Sequence, residues 1–254
     1  MRSRDDSDAR GLLAQTRADW AEGRLSRRVR KVRRQAEEAR AELEPIDVDT
    51  PLGRSVFARY ERCPQPLLAV RDAGPLRRGD RLLADAPALT WGRDDRIWLA
   101  GRNGAGKSTL VDALLAGLRA PPERLLHLGQ DPSPAAIDGA RAWLCDLDPE
   151  ARARVMAVIA ALGVPPTRLL ESASPSPGEA RKLLIARGLG TCAWGLVLDE
   201  PTNHLDLPSI ERLEAALAAY PGALLLVTHD EAFARACART RWTIDGGEVR
   251  VESI

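Results

Sequence analysis

The stretch GRNGAGKST, residues 101–109, constrains the fold more than any other part of the chain. Glycines at 101, 104 and 106 allow the backbone to curl, so that successive N–H groups point into one anion-binding concavity. The apolar run RIWLA precedes this loop and a helical pattern follows it, a context that an ordinary glycine-rich turn would not need. The sequence therefore predicts an α/β domain in which a buried strand leads, through an anion-binding loop, into the positive N-terminal end of a helix.

The loop matches the pattern G-x-x-x-x-G-K-[ST], which assigns a role to each polar side chain. Lys107 is expected to reach the β- and γ-phosphates of a nucleotide, and the Ser108 hydroxyl to ligate Mg²⁺. Lysine is scarce, with 3 lysines among 37 basic residues, so a lysine at the required position is informative. The expected nucleotide-binding set is Gly101, Asn103, Gly104, Ala105, Gly106, Lys107, Ser108 and Thr109.

A second short apolar run, LVL, ends in the adjacent carboxylates Asp199 and Glu200. In nucleotide hydrolases with such a loop, an acid at the end of a second buried strand supports Mg²⁺, and we expect Asp199 to do so. Glu200, one position further, is expected to polarise the water that attacks the γ-phosphate. A plain acidic turn is the alternative interpretation.

Strand and helix patterns alternate from about residue 64 onward. We predict strands at PLLAV, DRLLA, RIWLA, WGLVL and ALLLV, helices near 108–118, 149–162, 178–189 and 207–219, and a terminal β-hairpin at RWTIDGGEVRV. The fully apolar runs suit the interior of a parallel sheet. We therefore assign residues 63–254 to an α/β domain.

Residues 1–62 have a different, charged and alanine-rich texture and are predicted to be helical. Apolar residues recur at spacings of four and three at Leu25, Val29, Val32, Ala36, Ala39 and Leu43, as in a helix that packs on another helix. A shorter helix turning back near Gly23 would complete a hairpin. The stretch RLSRRVRKVRR (24–34) carries seven basic residues and no acid. It is either a solvated helix face or a contact with phosphate backbone.

The composition excludes several classes of protein. With 37 basic and 36 acidic residues, the chain has no overall field that would attract nucleic acid or membrane. Cys63, Cys145, Cys192 and Cys237 lack metal-site spacing and are predicted to be buried free thiols in a reducing compartment. No apolar stretch is long enough to span a bilayer, and we expect a cytoplasmic protein.

Three further motifs complete a recognisable series. Gln130 follows the strand-like LLHL, SPGEARKLLIARGL covers 176–189, and VTHD (227–230) contains His229. In this order the motifs resemble an ATP-binding cassette (ABC) domain over about residues 65–254. The resemblance implies a parallel core sheet with an antiparallel β-subdomain and a helical subdomain.

The resemblance also implies roles for these residues. Gln130 would sense Mg²⁺ and the attacking water, and His229 would contact the γ-phosphate. Ser176 and Gly178 would bind the nucleotide held by an opposite cassette. The expected catalytic set is thus Lys107, Gln130, Glu200 and His229, and the expected metal set is Ser108, Gln130 and Asp199.

The continuation DEPTNHLD resembles the ABC-F branch, whose members lack transmembrane domains and act on ribosomes. This resemblance implies ATP and Mg²⁺ as ligands, Mg-dependent hydrolysis, and a role in translation or antibiotic resistance. Residues 1–62 would be the end of an interdomain linker, with the basic stretch 24–34 directed at ribosome-bound tRNA. The partner would be a second cassette, supplied by a homodimer or by a missing N-terminal half.

Two departures from the family pattern stand out. The signature reads Pro175-Ser176-Pro177-Gly178-Glu179, and proline has no N–H to offer a phosphate. Upstream, RDAGPLRRGD offers Pro75 and Leu76 where an aromatic residue would stack on adenine. His204 is expected to be structural, and Asp206 to position its loop.

Two alternatives remain open from the sequence. Single cassettes of this length also occur as the ATPase subunits of membrane transporters, but those subunits do not usually carry some 60 residues of patterned helix. The chain could also be a fragment that binds ATP without hydrolysing it. Intact Lys107, Glu200 and His229 argue against a decayed site.

Overall fold

The computed structural model describes residues 57, 60–164 and 175–254. All of them belong to a compact unit that spans Thr50–Ile254. The predicted helical seam and the basic stretch 24–34 lie outside the described residues, and the domain boundary at 62/63 stays a prediction.

The core of the described region is an eight-stranded mixed sheet with the order β2-β3-β10-β9-β5-β8-β7-β6. Strands β9, β5, β8, β7 and β6 run parallel, so their carboxyl ends meet at one edge. The strands are β1 (Leu67–Arg71), β2 (Gly74–Arg78), β3 (Arg81–Ala86), β4 (Leu89–Gly92), β5 (Arg96–Gly101), β6 (Leu125–Leu128), β7 (Gly195–Asp199), β8 (Ala223–Val227), β9 (Thr240–Asp245) and β10 (Glu248–Ser253).

The central strands are buried on both faces, as their unbroken apolar sequences predict. In β7, Leu196 and Leu198 join one hydrophobic cluster while Val197 joins the cluster on the opposite face. In β5, Trp98 and Leu99 divide between the two clusters in the same way. This alternation follows from the two-residue repeat of a strand, and it fixes which residues reach the carboxyl edge.

Six α-helices of 7 to 14 residues cover the sheet in the described region. They are α1 (Lys107–Leu115), α2 (Pro134–Asp146), α3 (Pro149–Ala161), α4 (Pro177–Gly190), α5 (Leu207–Ala219) and α6 (Glu231–Cys237). Four of them match the sequence predictions. Helices α2 and α6 were not predicted, α6 being only seven residues long. Side chains at Ser133, Asp148, Ser176, Asp206 and Asp230 cap the helices α2 to α6 by accepting a backbone N–H.

The smaller β elements flank the parallel core. Strands β1 and β4 form a separate antiparallel pair, and β2 and β3 form an edge hairpin. The predicted terminal hairpin is confirmed as β9–β10, with Gly246 and Gly247 at φ 57° and 82°. Positive φ at both turn residues suits the twist of the flanking strands and explains the glycine pair. Strands β2 and β4 were not predicted.

Phe57 and Tyr60, which precede the predicted boundary, pack on the main domain. Both rings make edge contacts with the ring of Tyr220, at centroid distances of 5.9 and 6.2 Å. Tyr220 is itself buried and donates a hydrogen bond to the carbonyl of Ala193. These contacts belong to the described residues of the Thr50–Ile254 unit.

The four cysteines are free thiols, but only three are buried. The prediction of a buried thiol is wrong for Cys145, which is exposed near the end of α2. In that helix Ala140 and Leu144 form the buried face, and Cys145 lies one position beyond it. Within the described part of the chain, no helix combines the length and apolar composition that a bilayer crossing needs.

Candidate functional site

The loop between β5 and α1 depends on three glycines with positive φ. Gly101, Gly104 and Gly106 have φ of 156°, 77° and 107°. A Cβ on Gly106 would lie 3.0 Å from Cδ1 of Leu83, and one on Gly101 would lie 2.9 Å from the carbonyl oxygen of Ile244. Backbone strain and close packing therefore both require glycine here, and the loop takes the curled form predicted from its sequence.

Lys107 begins α1 and folds back over this loop. Its Nζ donates to the carbonyl of Gly101 at 2.8 Å and lies 3.2 Å from Nε2 of His229. The same Nε2 lies 2.9 Å from Oδ1 of Asn103. His229 follows β8, the strand next to β5, so the sheet brings these three residues together.

The acidic pair lies at the end of β7, one strand further along. Glu200 has φ 46°, and its N–H donates to the carbonyl of Val227 at 2.8 Å. One carboxylate oxygen, Oε2, accepts from Thr228 at 3.4 Å. The other, Oε1, is buried, makes no hydrogen bond with the described residues and lies 3.5 Å from Nε2 of His229. A strained backbone thus aims a carboxylate towards the lysine and histidine.

Burial raises the pKa of both carboxyl groups. Desolvation is the main cause for Glu200; the backbone N–H of His229 opposes it and the charge of Asp199 adds to it. For Asp199, burial likewise dominates, while the charge of Lys107 and a hydrogen bond from the hydroxyl of Ser108 lower the pKa. Two adjacent, partly buried acids of this kind favour a compensating cation.

A cavity of about 260 Å³ opens beside Asp199. Its lining brings together the three predicted metal-site residues, Ser108, Gln130 and Asp199, with His127 and Asp112 nearby. Hydroxyl, amide and carboxylate oxygens are the donors that Mg²⁺ prefers. The residues present therefore fit Mg²⁺.

The predicted signature residues make their own contacts, and these are not with the phosphate loop. Ser176 caps α4: its Oγ accepts from the N–H of Glu179 at 3.3 Å, and the Glu179 carboxylate accepts from the N–H of Ser176 at 2.8 Å. Pro177 occupies the first turn of the helix, where a missing N–H costs least. A Cβ on Gly178 would lie 2.8 Å from the carbonyl oxygen of His204.

The loop after the acidic pair is held by its own backbone geometry. His204 has φ 62°, and its carbonyl faces Gly178. Asp206 caps α5 by accepting from the N–H of Ser209 at 3.1 Å, and its hydrogen bonds with Ser209 lower its pKa. Both residues therefore have structural contacts in this chain.

Two residues of this region were missed from the sequence. His127 lines the cavity beside Asp199 but carries no motif signal. Arg181 of α4 is 1% exposed and donates hydrogen bonds to the backbone carbonyls of Asp199 and Glu200. Its position among Leu184, Ile185 and Gly188, on the buried face of a helix, was a signal that could have found it.

The β2–β3 hairpin lies next to the phosphate loop and presents aliphatic side chains to it. The family pattern has an aromatic side chain upstream of the loop. Leu76 and Leu83 approach Gly106, at 3.2 and 3.0 Å from the position of a Cβ there. In the described chain from residue 60 to the loop, the tryptophans Trp91 and Trp98 are both buried. The expectation that adenine lacks an aromatic stack therefore stays a prediction.

Comparisons with known proteins identify the domain. A family model described as ABC transporter matches residues 85–203, which include the loop and the acidic pair. The described domain is an ATP-binding cassette. Solved cassettes share its fold: the dimeric cassette MJ0796 bound to ADP and Pi has a TM-score of 0.59 at 17% identity, covering 73% of this chain and 97% of that one. An ATP-binding subunit of an ABC transporter has a TM-score of 0.60 at 21% identity, covering 74% and 90%.

Curated relatives of this cassette are ABC-F proteins. Tylosin resistance ATP-binding protein TlrC of Streptomyces fradiae is 39% identical over 158 residues, 57% of this chain and 28% of that protein. Probable ATP-binding protein YheS of Escherichia coli K12 is 35% identical over 73% of this chain and 31% of its own length. Human ATP-binding cassette sub-family F member 3 is 29% identical over 83% and 32%. The chain thus spans about a third or less of the length of these relatives.

Proposed function

We propose that this cassette binds Mg-ATP and hydrolyses it when a second cassette is present. The observation that carries the proposal is the convergence on one point of Lys107, His229 and the Oε1 atom of Glu200, which makes no hydrogen bond with the described residues. A cation, a hydrogen-bonding imidazole and a carboxylate with a free lone pair, beside an anion-binding loop, are the parts that phosphoryl transfer to water needs.

Each of these residues has a distinct task in the proposed reaction. The loop N–H groups and Lys107 hold the phosphates, and His229 orients the γ-phosphate. Glu200 accepts the proton of the attacking water, because a buried carboxylate with a raised pKa is a better base than an exposed one. Ser108, Gln130 and Asp199 would hold Mg²⁺, which supplies charge neutralisation at the phosphate oxygens.

The second cassette enters the proposal through the signature. Ser176, at the start of α4, has its acceptor lone pair engaged by Glu179, but its hydroxyl proton remains available to donate. In this proposal Ser176 and Gly178 serve the nucleotide of the opposite cassette, and Pro177 withholds one donor. The solved cassette MJ0796 is described as dimeric, which supports a two-cassette arrangement.

We further propose that the whole protein acts on the ribosome in the cytoplasm. The support is the series of ABC-F relatives, one of them a tylosin resistance protein, and the basic stretch 24–34, which could meet RNA phosphates. Translation and antibiotic resistance are the corresponding settings. A transporter subunit is the less favoured role, since the curated relatives named above are ABC-F proteins.

Nucleotide binding and ribosome binding are tested separately. Titration with the fluorescent nucleotide mant-ATP, with and without Mg²⁺, should give saturable binding that Mg²⁺ strengthens; no binding would refute the cassette function proposed here. Co-sedimentation with ribosomes, using a chain that retains residues 1–62 and a variant with Arg27, Arg28, Arg30, Lys31, Arg33 and Arg34 changed to Gln, should show pelleting lost in the variant. Equal pelleting of both chains would refute the assigned role of the basic stretch.

A further inference from the structure

Arg181 is a buried cation that touches three carbonyl oxygens of the candidate site. Its Nη1 donates to the carbonyl of Glu200 at 2.8 Å and to that of Asp199 at 3.3 Å. Its Nη2 donates to the carbonyl of Gln130. The guanidinium of Arg181, on helix α4, therefore bridges the backbone segments that follow β6 and end β7.

Burying the charge of Arg181 costs free energy of desolvation, so it needs compensating interactions. The side chain is 1% exposed, and its Nε makes no hydrogen bond with the described residues. Burial lowers the pKa of Arg181, while the nearby carboxylates of Asp131, Asp199 and Glu200 raise it. Arginine keeps its charge in such a place, and its planar fork presents up to five N–H donors in a fixed geometry.

The hydrogen bonds of Arg181 go to backbone carbonyls and not to the side chains of Gln130, Asp199 and Glu200. Arg181 fixes the carbonyls of Gln130, Asp199 and Glu200, while the amide of Gln130 and the carboxylate of Asp199 stay on the cavity beside Ser108. If the fork is lost, the Gln130 loop and the end of β7 can separate by small backbone shifts. Such shifts change a cavity defined by oxygen positions more than they change the glycine loop.

We propose that Arg181 is a positioning residue, which sets the distance between Gln130 and Asp199 and thereby the affinity of the site for Mg²⁺. The inference rests on the proposed function, since it assigns the cavity to Mg²⁺. It also links the start of α4 to the site on the same chain, because Arg181 lies on the first turns of that helix. A shift of Ser176 would therefore reach Gln130 and Asp199 through one side chain.

Mg²⁺ titration of the nucleotide complex tests this role. Arg181→Lys, Arg181→Gln and Arg181→Met are compared with wild type, using mant-ATP first in EDTA and then across a range of Mg²⁺. We expect affinity in EDTA to stay within about twofold of wild type. The Mg²⁺ concentration at half-saturation should rise about tenfold, the effect of one lost charge-assisted hydrogen bond. Arg181→Lys is the variant most certain to fold, because it keeps the charge.

Arg96 provides a matched control. It is also a largely buried arginine that donates only to carbonyls, those of Cys237, Tyr220 and Leu217, and these lie away from the cavity. Arg96→Lys should lower the melting temperature as Arg181→Lys does but leave Mg²⁺ half-saturation unchanged. The inference is overturned if the two variants titrate alike, or if Arg181→Lys weakens binding equally in EDTA. Failure of wild type to respond to Mg²⁺ would instead refute the proposed function.

Discussion

The Nζ of Lys107 lies 3.2 Å from Nε2 of His229, although 122 positions separate the two residues in the chain. The sheet explains this contact. Strands β5 and β8 are parallel neighbours in which Leu99 pairs with Val227, so the loop after one strand faces the residues after the other. A one-residue shift of this register would exchange the two faces of β8 and move His229 away. The site is therefore a product of strand order as much as of its motifs.

Replacing Lys107 with Met should weaken mant-ATP binding at least tenfold, because one charge-assisted contact to phosphate contributes on the order of 1.5–3 kcal/mol. Lys182→Met is the matched control, since the Nζ of Lys182 donates to Oγ of Ser209 at 2.6 Å. We expect that control to lose stability but to keep its affinity. Equal affinities for the Lys107 variant and wild type in fluorescence titration would contradict the assigned role.

Gly106→Ala should distort the phosphate loop. The position has φ 107°, which costs an alanine on the order of 1–3 kcal/mol, and the new Cβ would press on Leu83. We expect a lower melting temperature and at least tenfold weaker nucleotide binding. Gly79→Ala separates the two effects, because that glycine has φ 59° with nothing within 4 Å of an added Cβ. If Gly79→Ala weakened nucleotide binding as much as Gly106→Ala does, backbone strain alone would explain the loss of affinity.

Gly178→Ala should destabilise the chain even without nucleotide, because its Cβ would lie 2.8 Å from the carbonyl oxygen of His204. Overpacking of this kind costs about 1–3 kcal/mol. Gly139→Ala is the control on an open helix face and should be neutral or stabilising by up to about 1 kcal/mol. Thermal melts in EDTA test whether Gly178 contributes to stability. Equal melting temperatures for wild type and Gly178→Ala would limit this glycine to a role in nucleotide binding.

The raised pKa of Glu200 predicts a pH-dependent cost to folding. Its pKa in the folded chain lies above the ordinary 4.5, so the folded state retains a proton that the unfolded state has released. Wild-type stability should therefore fall, relative to Glu200→Gln, as pH rises from 4.5 through the folded-state pKa. Melts in Mg²⁺-free buffer should give the variant a higher melting temperature at pH 7.5 and none of this advantage at pH 4.

An exposed acid serves as the control for that experiment. Glu231→Gln removes a surface ion pair with Arg235, which contributes about 0–1 kcal/mol, so its melting temperature should stay close to wild type. A Glu200→Gln variant that is less stable than wild type at pH 7.5 would show that its hydrogen bonds outweigh the cost of burial.

Most elements of the fold could be predicted from local sequence patterns. The loop glycines, the apolar runs of β7 and β8, and the glycine pair of the last hairpin each determine their own conformation, and all were predicted. Strands β2 and β4 were not, because they hold few apolar residues and depend on pairing partners. Helix α2 was missed for a related reason: Gly139 weakens its helical pattern, and burial of Ala140 and Leu144 supports it.

The candidate site was predicted where chemistry requires one residue type and missed where it depends on contacts distant in sequence. Lys107, Asp199 and Glu200 stand in motifs with fixed spacing. The helical spacing of Arg181 indicates a buried position, but its contacts with the carbonyls of Gln130 and Glu200, which are distant in sequence, could not be predicted from that spacing. Gly178 was assigned to nucleotide contact, whereas the structure adds a packing reason that the motif could not reveal.

The central claim, that this cassette holds ATP between two copies or two partners, is tested most directly by mass in solution. Multi-angle light scattering would compare wild type and Glu200→Gln with and without Mg-ATP. The substitution removes the carboxylate that accepts the proton while keeping the shape of the site, so it should trap the nucleotide-bound state. We predict a dimer for Glu200→Gln only with Mg-ATP, and a monomer otherwise. A variant that binds mant-ATP yet stays monomeric at every protein concentration would contradict self-pairing and would require the second cassette to come from another polypeptide segment.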